Sequence, residues 1–384
     1  MKARFWSSLL LPIVLLGVAI GVFLVSEPLS LLGVSPPPIE QLTVERTVLD
    51  EKGIDLKVRA AGSDPMHIAQ VQVDGAYWRF TQEPAGALAR GESAWIHLPY
   101  HWVKGELHEV TFVTNTGVTF GHTIEVAEAT PKMSTEQFFG YGLLGLYVGV
   151  LPVALGMLFR PALQRAGARG LEFALALTLG LLVFLLVDTI DEGLELGEQA
   201  ASLFQGTALV WLAALVTFGV LMAVGRRHRE PPRGLALARY IALGIGLHNL
   251  GEGLAIGGSF AAGAAALGTF LVIGFTLHNL TEGIGIVAPL TRERVRWVAW
   301  VGLVALAGLP AVLGTWIGAY AYAPHWSALM LGMGAGAILQ VVVEVGDYLR
   351  RTIAREGILI SIASVTGFTL GIVVMYATAY FVQV

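Results

Sequence analysis

Eight long apolar segments follow one another from residue 137 to residue 383, and each is long enough to cross a lipid bilayer. A bilayer core needs about 20 apolar residues of helix. Because lipid offers the backbone no hydrogen-bond partners, such segments fold as α-helices unless they close into a barrel. The sequence therefore predicts an all-α membrane bundle of eight helices. They cover residues 137–159, 171–195, 203–225, 235–259, 264–290, 296–321, 326–348 and 357–383.

The composition supports a membrane protein and restricts its chemistry. Only 14% of the residues are charged, against about 25% in soluble proteins. The net charge of −4 argues against a broadly basic protein, so no nucleic-acid partner is expected. The chain contains no cysteine, which excludes disulfides and thiolate metal sites. Any bound metal must therefore be held by His, Asp, Glu, Asn or Met.

The first 26 residues resemble a membrane anchor. Lys2 and Arg4 precede an uncharged stretch over residues 5–26, which is longer than the 7–15 apolar residues, roughly, of a cleaved signal peptide. An uncleaved signal anchor at residues 1–26 is favoured over a signal peptide. Either interpretation places the following segment on the extracytoplasmic side.

Residues 39–128 differ from the rest because they are polar and alternate. The run from Gly53 to Arg59 has the period of two that is typical of a half-buried strand. Turn sequences such as Asp74-Gly75 separate about seven such strands. We predict a small β-sandwich-like domain at residues 39–128, followed by the eight-helix domain at residues 133–384.

Basic residues mark one side of the predicted bundle. Arginines follow the first, third, fifth and seventh helices, whereas the loops after the second, fourth and sixth helices contain no Lys or Arg. By the positive-inside rule, the arginine-rich loops are cytoplasmic. We therefore expect a multi-pass protein of the cell (inner) membrane, in contact with the lipid bilayer, whose β-domain and C-terminus are extracytoplasmic. The anchor independently predicts the same side for the β-domain.

The motif that carries chemistry occurs twice. The fourth helix contains His248-Asn249-Leu250-Gly251-Glu252-Gly253, and the fifth contains His278-Asn279-Leu280-Thr281-Glu282-Gly283. Residues four apart share a helix face, so His248 with Glu252, and His278 with Glu282, can hold one ion together. Two imidazoles and two carboxylates suit zinc, iron or manganese. Asn249 and Asn279 can form an adjoining oxygen site. A pair of buried His–Glu hydrogen bonds is the alternative, and the repetition argues against it.

An acidic cluster lies at the outer end of the second helix. It comprises Asp188, Asp191, Glu192, Glu195 and Glu198, with no basic residue nearby. Such a cluster would concentrate cations at an outer mouth, and we include Asp188, Asp191 and Glu192 among the candidate metal-binding residues. A solvated helix end is the alternative.

The repeated motif resembles the His-Asn-x-Pro-Glu-Gly-like motifs of the ZIP family of divalent-metal transporters, and the likeness extends over residues 133–384. This resemblance implies a bundle that holds its metal midway across the membrane. It makes His248, Glu252, His278 and Glu282 the principal ligands, with Asn249 and Asn279 at a second metal position. Glu344, near the inner end of the seventh helix, resembles an exit carboxylate of the family. For Asp347, close to Arg350 and Arg351, an ion pair is the favoured interpretation.

Three departures from the family pattern affect this picture. The usual proline is Gly251 in one motif and Thr281 in the other, and Ala311 stands where many relatives have a glutamate. Without that glutamate, a true binuclear centre is not expected.

The leading functional hypothesis is a transporter, not an enzyme, that imports a divalent transition metal toward the cytoplasm. Zinc is favoured, and iron or manganese are compatible. Two alternatives remain open: an intramembrane zinc-dependent hydrolase, and a non-transporting membrane binding protein that a metal stabilises. The residues also leave open whether the protein forms a homodimer and what its β-domain does.

Overall fold

The computed structural model describes residues 2–26, 39–130, 134–225, 232–261, 265–321, 323–354 and 361–382. The chain divides into two compact units, Met1–Glu40 and Gln41–Val384. The first unit contains helix α1 (Lys2–Ser26), whose 25 residues include Pro12. Its described side chains are largely exposed and apolar. At 1.5 Å per residue, such a helix is about 37 Å long, enough to cross a bilayer.

The second unit begins with a β-domain of two four-stranded antiparallel sheets. One sheet has the order β1-β2-β6-β5 and the other β4-β3-β7-β8. The strands are β1 (Leu42–Asp50), β2 (Gly53–Ala60), β3 (Ile68–Val73), β4 (Ala76–Trp78), β5 (Thr81–Glu83), β6 (Ser93–Leu98), β7 (His108–Thr114) and β8 (Thr119–Ile124).

Alternating apolar side chains form the core of this domain. Leu56 pairs with Ile96 in the first sheet, Val71 pairs with Phe112 in the second, and all four are fully buried. The two sheets share this core. Gly53 follows the β1–β2 turn with a φ of +142°, and a Cβ there would lie 1.9 Å from the Leu98 carbonyl oxygen. The predicted small two-sheet domain is therefore confirmed.

The rest of the second unit is helical. The helices are α2 (Thr135–Gly145), α3 (Leu151–Met157), α4 (Arg160–Arg165), α5 (Gly167–Gln199), α6 (Gly206–Gly225), α7 (Gly234–Ala261), α8 (Ala265–Val287), α9 (Trp297–Ala321), α10 (Pro324–Ala354) and α11 (Ile362–Val382). A π-helical turn, Leu146–Val150, joins α2 to α3. Short 3₁₀ turns, Ser202–Phe204 and Ala288–Leu290, precede α6 and follow α8.

Seven helical segments among the described residues are long and apolar enough to cross a membrane. The first of them, Thr135–Arg165, comprises α2 to α4. Helix α7, the predicted fourth helix, is 28 residues long but is not among the seven. His248, Asn249 and Glu252 in its middle lower its hydropathy. The predicted membrane bundle is confirmed with seven membrane-length apolar helices among the described residues, and α7, which carries one copy of the motif, is outside the seven.

Glycines bring the helices that carry the motifs against their neighbours. A Cβ at Gly253 on α7 would lie 2.2 Å from the Ala311 carbonyl oxygen on α9, and one at Gly283 on α8 would lie 2.3 Å from that of Val153 on α3. Helix α9 approaches the π turn equally closely, because a Cβ at Gly149 would lie 2.5 Å from the carbonyl oxygen of Gly308. These contacts, typical of helices packed in lipid, join α2, α3, α7, α8 and α9.

The other four long helices are joined in the same manner. A Cβ at Gly180 on α5 would lie 2.1 Å from the Phe368 carbonyl oxygen on α11, and one at Gly336 on α10 would lie 2.2 Å from that of Ala214 on α6. Gly197 and Gly206 bring α5 and α6 together at their shared end. Such contacts leave no room for side chains, so each helix pair is fixed through its backbone.

The β-domain lies against one end of the bundle. Arg46 Nη1 donates to the Tyr320 carbonyl oxygen at 3.2 Å, near the end of α9. The Arg59 guanidinium lies 5.5 Å from the centre of the Phe204 ring, and the His325 ring stacks on that same ring at 4.0 Å. The loops at this end, before α6 and before α10, are free of Lys and Arg. The β-domain and the non-basic loops therefore share one end of the bundle.

Candidate metal centre

Three side chains of the two motifs meet between α7 and α8. Glu252 Oε1 lies 2.9 Å from His248 Nε2 and in very short contact with His278 Nε2. One ligand atom from each of the three residues lies within 4.8 Å of the others. His248 is 3% exposed, Glu252 1% and His278 7%. Within the described part of the chain, no other group of three His, Asp or Glu residues has this spacing.

A neighbouring hydroxyl orients one of the two imidazoles. Thr189 Oγ1 on α5 lies 3.1 Å from His248 Nδ1, which fixes the ring so that Nε2 faces Glu252. The His278 ring instead lies 5.5 Å from the Phe275 ring on its own helix. Sequence reasoning missed Thr189, and its position next to Asp188 in an apolar helix was the available signal.

The side-chain oxygens of the two asparagines form no hydrogen bond, whereas their amide nitrogens both donate. Asn249 Nδ2 donates to the Ala307 carbonyl oxygen at 3.0 Å. Asn279 Nδ2 donates to the carbonyl oxygen of Val148 and to Glu252 Oε2, each at 3.1 Å. Both amide groups are fully buried, and neither Oδ1 has a hydrogen-bond partner. Two buried oxygen donors are therefore available to a cation.

Glu282 is not part of the three-residue group. Its carboxylate is 5% exposed, and neither oxygen has a hydrogen-bond partner. With His278, Thr281 and Thr178 it borders a cavity of about 10 Å³, whose other lining residues are apolar and which holds roughly one water molecule. The four-ligand set therefore stays a prediction: three ligands lie together, and the fourth is buried beside them near the Asn249 side chain.

The predicted acidic cluster leads toward this centre along α5. Asp188 and Asp191 are exposed, whereas Glu192 is half-buried. Asp188 and Glu192 both lie close enough to His248 and Glu252 to interact with them electrostatically. Glu195 and Glu198 are exposed further along the helix. A line of carboxylates thus extends from the end that bears the β-domain toward the buried histidines.

Helix α10 carries the candidate exit residue. Glu344 is 4% exposed, and Gln340 one turn earlier is fully buried with no hydrogen-bond partner for either amide atom. Asp347 forms ion pairs with Arg350, at 3.0 Å, and with Arg351. The ion-pair interpretation of Asp347 is therefore confirmed.

Ala311 lies at a close contact between α9 and the π turn. It is fully buried, and a Cβ at Gly149 would stand 2.6 Å from the Ala311 Cβ. A glutamate at this position would have to extend past the π turn, so the close packing gives a physical reason for alanine here.

Histidines of the β-domain form hydrogen bonds with separate partners inside that domain. His97 Nδ1 lies 2.8 Å from Asp55 Oδ1, and His122 Nε2 lies 2.9 Å from Thr47 Oγ1. Burial lowers the pKa of His122, so its ring is neutral near pH 7. Within the described residues they form no group of three candidate ligands.

Asp74 of the β-domain accepts hydrogen bonds from three residues. Burial opposes its charge, but the backbone N–H of Glu109 and the side chains of His108 and Tyr100 donate to it and hold its pKa below the usual value. The hydrogen bond to Asp74 in turn raises the pKa of Tyr100 to about 12. These contacts join β7 to the β3–β4 turn, which indicates a structural role.

Comparison with known families places this centre in context. Residues 222–379 match the family model described as ZIP zinc transporter. The match includes both copies of the motif and excludes the β-domain. A search of curated proteins found no match to the chain.

Proposed function

We propose, from the premise that residues 222–379 belong to the ZIP zinc transporter family, that this protein imports zinc toward the cytoplasm through the centre between α7 and α8. The family match and the membrane-length helices support the coarser statement, a multi-pass membrane protein related to divalent-metal transporters. The metal, the direction and the residues are the proposal.

The observation that carries the proposal is that two buried carboxylates lie in the centre without a basic residue to neutralise them. Glu252 and Glu282 lie within the bundle beside two histidines, and no Lys or Arg contacts either carboxylate in the described chain. An unpaired buried charge costs several kcal/mol, roughly, so such sites are stable when a cation neutralises them. Imidazole and carboxylate donors favour zinc, with iron and manganese also compatible.

The geometry supports specific roles for the ligands. His248 Nε2, Glu252 Oε1 and His278 Nε2 share one small space, so a divalent ion can replace the protons that join them. The oxygens of Asn249 and Asn279 are the candidate ligands for an adjoining position, and Glu282 remains the proposed fourth ligand of the first position. Neutral oxygen donors bind a transition metal more weakly than imidazole, which suits a position that an ion occupies only in passing.

The same reasoning gives a path and a direction. We assign Asp188, Asp191 and Glu192 to the entrance, because they lie toward the end that bears the β-domain. Glu344 is the proposed exit carboxylate. The arginine-rich loops at the opposite end are expected in the cytoplasm, so ions that enter beside the β-domain would leave into the cytoplasm.

Uptake into proteoliposomes that contain the full chain tests this function. We expect zinc to accumulate down an imposed gradient in the wild type, and the double variant His248→Ala/Glu252→Gln to abolish uptake. Glu136→Gln, a change of an exposed carboxylate at the start of α2, serves as the control and keeps full uptake. Competition with Fe²⁺ and Mn²⁺ measures selectivity. Zinc binding without flux would reject transport and favour the metal-stabilised binding protein.

A further inference from the structure

A second site opens at the arginine-rich end of the bundle, away from the metal centre. A groove of about 850 Å³ lies between the first turns of α7 and α9. Its polar lining includes three arginines and a tyrosine: Arg239, Tyr240, Arg294 and Arg296. We call it the α7–α9 groove. Its volume lies within the range of roughly 300–1,000 Å³ that is usual for small-molecule sites.

The three arginines have no anionic partner among the described residues. Glu293 is the acidic residue that borders the groove, and its Oε2 accepts the backbone N–H of Leu235 at 3.1 Å. Arg350 and Arg351 elsewhere at this end are paired with Asp347. Arg239, Arg294 and Arg296 are exposed and form no ion pair within the described chain. Exposed guanidinium groups that form no ion pair are suited to binding phosphate oxygens.

The remaining wall of the α7–α9 groove is apolar and exposed. Leu243, Val298 and Leu306 line it, and a Cβ at Gly302 would meet no atom within 4 Å. Trp297, which is 74% exposed, begins α9 beside the arginines. Exposed tryptophans mark the membrane interface, so the arginines lie at headgroup level and the apolar wall extends into the lipid region.

We propose that the α7–α9 groove binds one anionic phospholipid, with its phosphate on Arg239, Arg294 and Arg296 and an acyl chain along Leu243, Gly302 and Leu306. Basic pockets between transmembrane helices recognise anionic headgroups in this manner. A free phosphate ion would use the arginines but gain nothing from the apolar wall. The combination of both surfaces therefore points to a lipid.

Native mass spectrometry of the full chain in detergent tests this proposal. The protein is titrated with phosphatidylglycerol, with phosphatidylcholine of the same acyl chains, and with glycerol phosphate as the free headgroup. We expect one phosphatidylglycerol to remain bound, phosphatidylcholine to bind more weakly, and glycerol phosphate not to displace the lipid at equal concentration.

Two variants separate the headgroup from the acyl chain. Arg294→Gln/Arg296→Gln should weaken phosphatidylglycerol binding by about 25-fold, or roughly five-fold per arginine. Gly302→Leu keeps every arginine and fills the apolar wall, so it too should displace the lipid. The matched controls are Arg165→Gln/Arg169→Gln, exposed arginines outside the groove, and Gly219→Leu, an equally open glycine on α6.

Three results would overturn the proposal. Equal retention of both lipids, unaffected by the arginine variant, would show only non-specific lipid around the bundle. Displacement by glycerol phosphate, with Gly302→Leu binding normally, would show a phosphate-ion site. A dimer without bound lipid, dissociated by Gly302→Leu, would show that a second copy of the chain covers the groove.

Discussion

The two copies of the motif differ at one position, Gly251 against Thr281, yet they contribute unequally to the centre. In the first copy, Glu252 contacts His248, His278 and Asn279. In the second copy, neither oxygen of Glu282 has a hydrogen-bond partner. A nearly symmetric sequence therefore produces an asymmetric site, with one shared carboxylate and one unshared carboxylate.

The difference arises from the neighbours of each helix. Helix α7 packs on α9, where Asn249 donates to Ala307, whereas α8 packs on α3 and the π turn, where Asn279 donates to Val148. Thr189 orients His248 from α5, whereas no hydroxyl of the described residues forms a hydrogen bond with the His278 ring. Repetition in a sequence thus identifies the residue types of a site, while the surrounding helices decide the role of each residue.

The largest expected effect is a difference in zinc uptake between variants of Glu252 and of Glu282. Changes in residues that only orient ligands cost roughly 10- to 100-fold in metal affinity, so loss of the shared ligand in Glu252→Gln should reduce zinc uptake by more than about 100-fold. Glu282→Gln should reduce uptake by only about tenfold, because Glu282 is outside the three-residue group. Zinc uptake rates in proteoliposomes measure both. Equal losses would show that the two motifs act symmetrically when the ion is bound.

The next effect concerns zinc affinity and the orientation of His248, the histidine that has a hydroxyl partner. Thr189→Val removes the hydroxyl beside His248 and should weaken zinc binding by about 10- to 100-fold. Thr366→Val is the control, because the exposed Thr366 hydroxyl donates to the Ile362 carbonyl oxygen within α11. Isothermal titration with zinc compares the variants. Unchanged affinity in Thr189→Val would mean that packing alone orients His248.

The third prediction concerns the free energy of unfolding, which should change in opposite directions when two buried carboxylates are replaced. Glu282→Met removes a carboxylate without hydrogen bonds and should stabilise the protein in chelator by about 1–3 kcal/mol. Glu172→Met should destabilise it, because Glu172 accepts hydrogen bonds from Ser361 and Ser364. Unfolding in detergent gives both values. Destabilisation by Glu282→Met would indicate that Glu282 has a partner after all.

The smallest effect compares the two asparagines. Asn249→Ala loses one hydrogen bond, and Asn279→Ala loses two, of which one is to Glu252. At about 1 kcal/mol for each bond, Asn279→Ala should be the more destabilising by about 1 kcal/mol in chelator. The same unfolding measurement resolves this difference, and equal values would mean that the contact to Glu252 adds nothing.

Much of the architecture follows from the sequence because it depends on local patterns. Apolar length predicts the helices, period-two alternation predicts β2 and β7, and the spacing of His248 and Glu252 predicts that they share a face. The ion pairs of Asp347 were predictable for the same reason.

The remaining features depend on how separate helices are rotated and packed. Helical spacing does not predict the contact of Thr189 with His248, because Thr189 lies on another helix. It also does not predict the π turn, in which the Val148 carbonyl oxygen accepts a hydrogen bond from Asn279. The position of Glu282 outside the three-residue group likewise depends on the rotation of α8 against α3. The contact of Arg59 and His325 with Phe204 joins three distant parts of the chain and leaves no sequence signal.

The glycine contacts divide the bundle into two halves, each of which is packed more tightly within itself than against the other. Backbone-to-backbone packing joins α2, α3, α7, α8 and α9, and separately joins α5, α6, α10 and α11. Between the halves the shortest approaches are to side chains, such as those of Gly244 to Val341 and of Gly285 to Thr178, and a Cβ at Gly334 on α10 would meet backbone atoms of Leu247 and His248 only at 3.3 Å. Side chains can change rotamer, whereas interlocked backbones cannot. The chain has no native cysteine, so spin labels at Leu277 and Leu313, or at Leu277 and Val373, can report distances within one half and across the boundary. We expect the halves to move as rigid bodies relative to each other, so that the half that contains both motifs would carry the metal and the proposed entrance and exit carboxylates would remain on the other half.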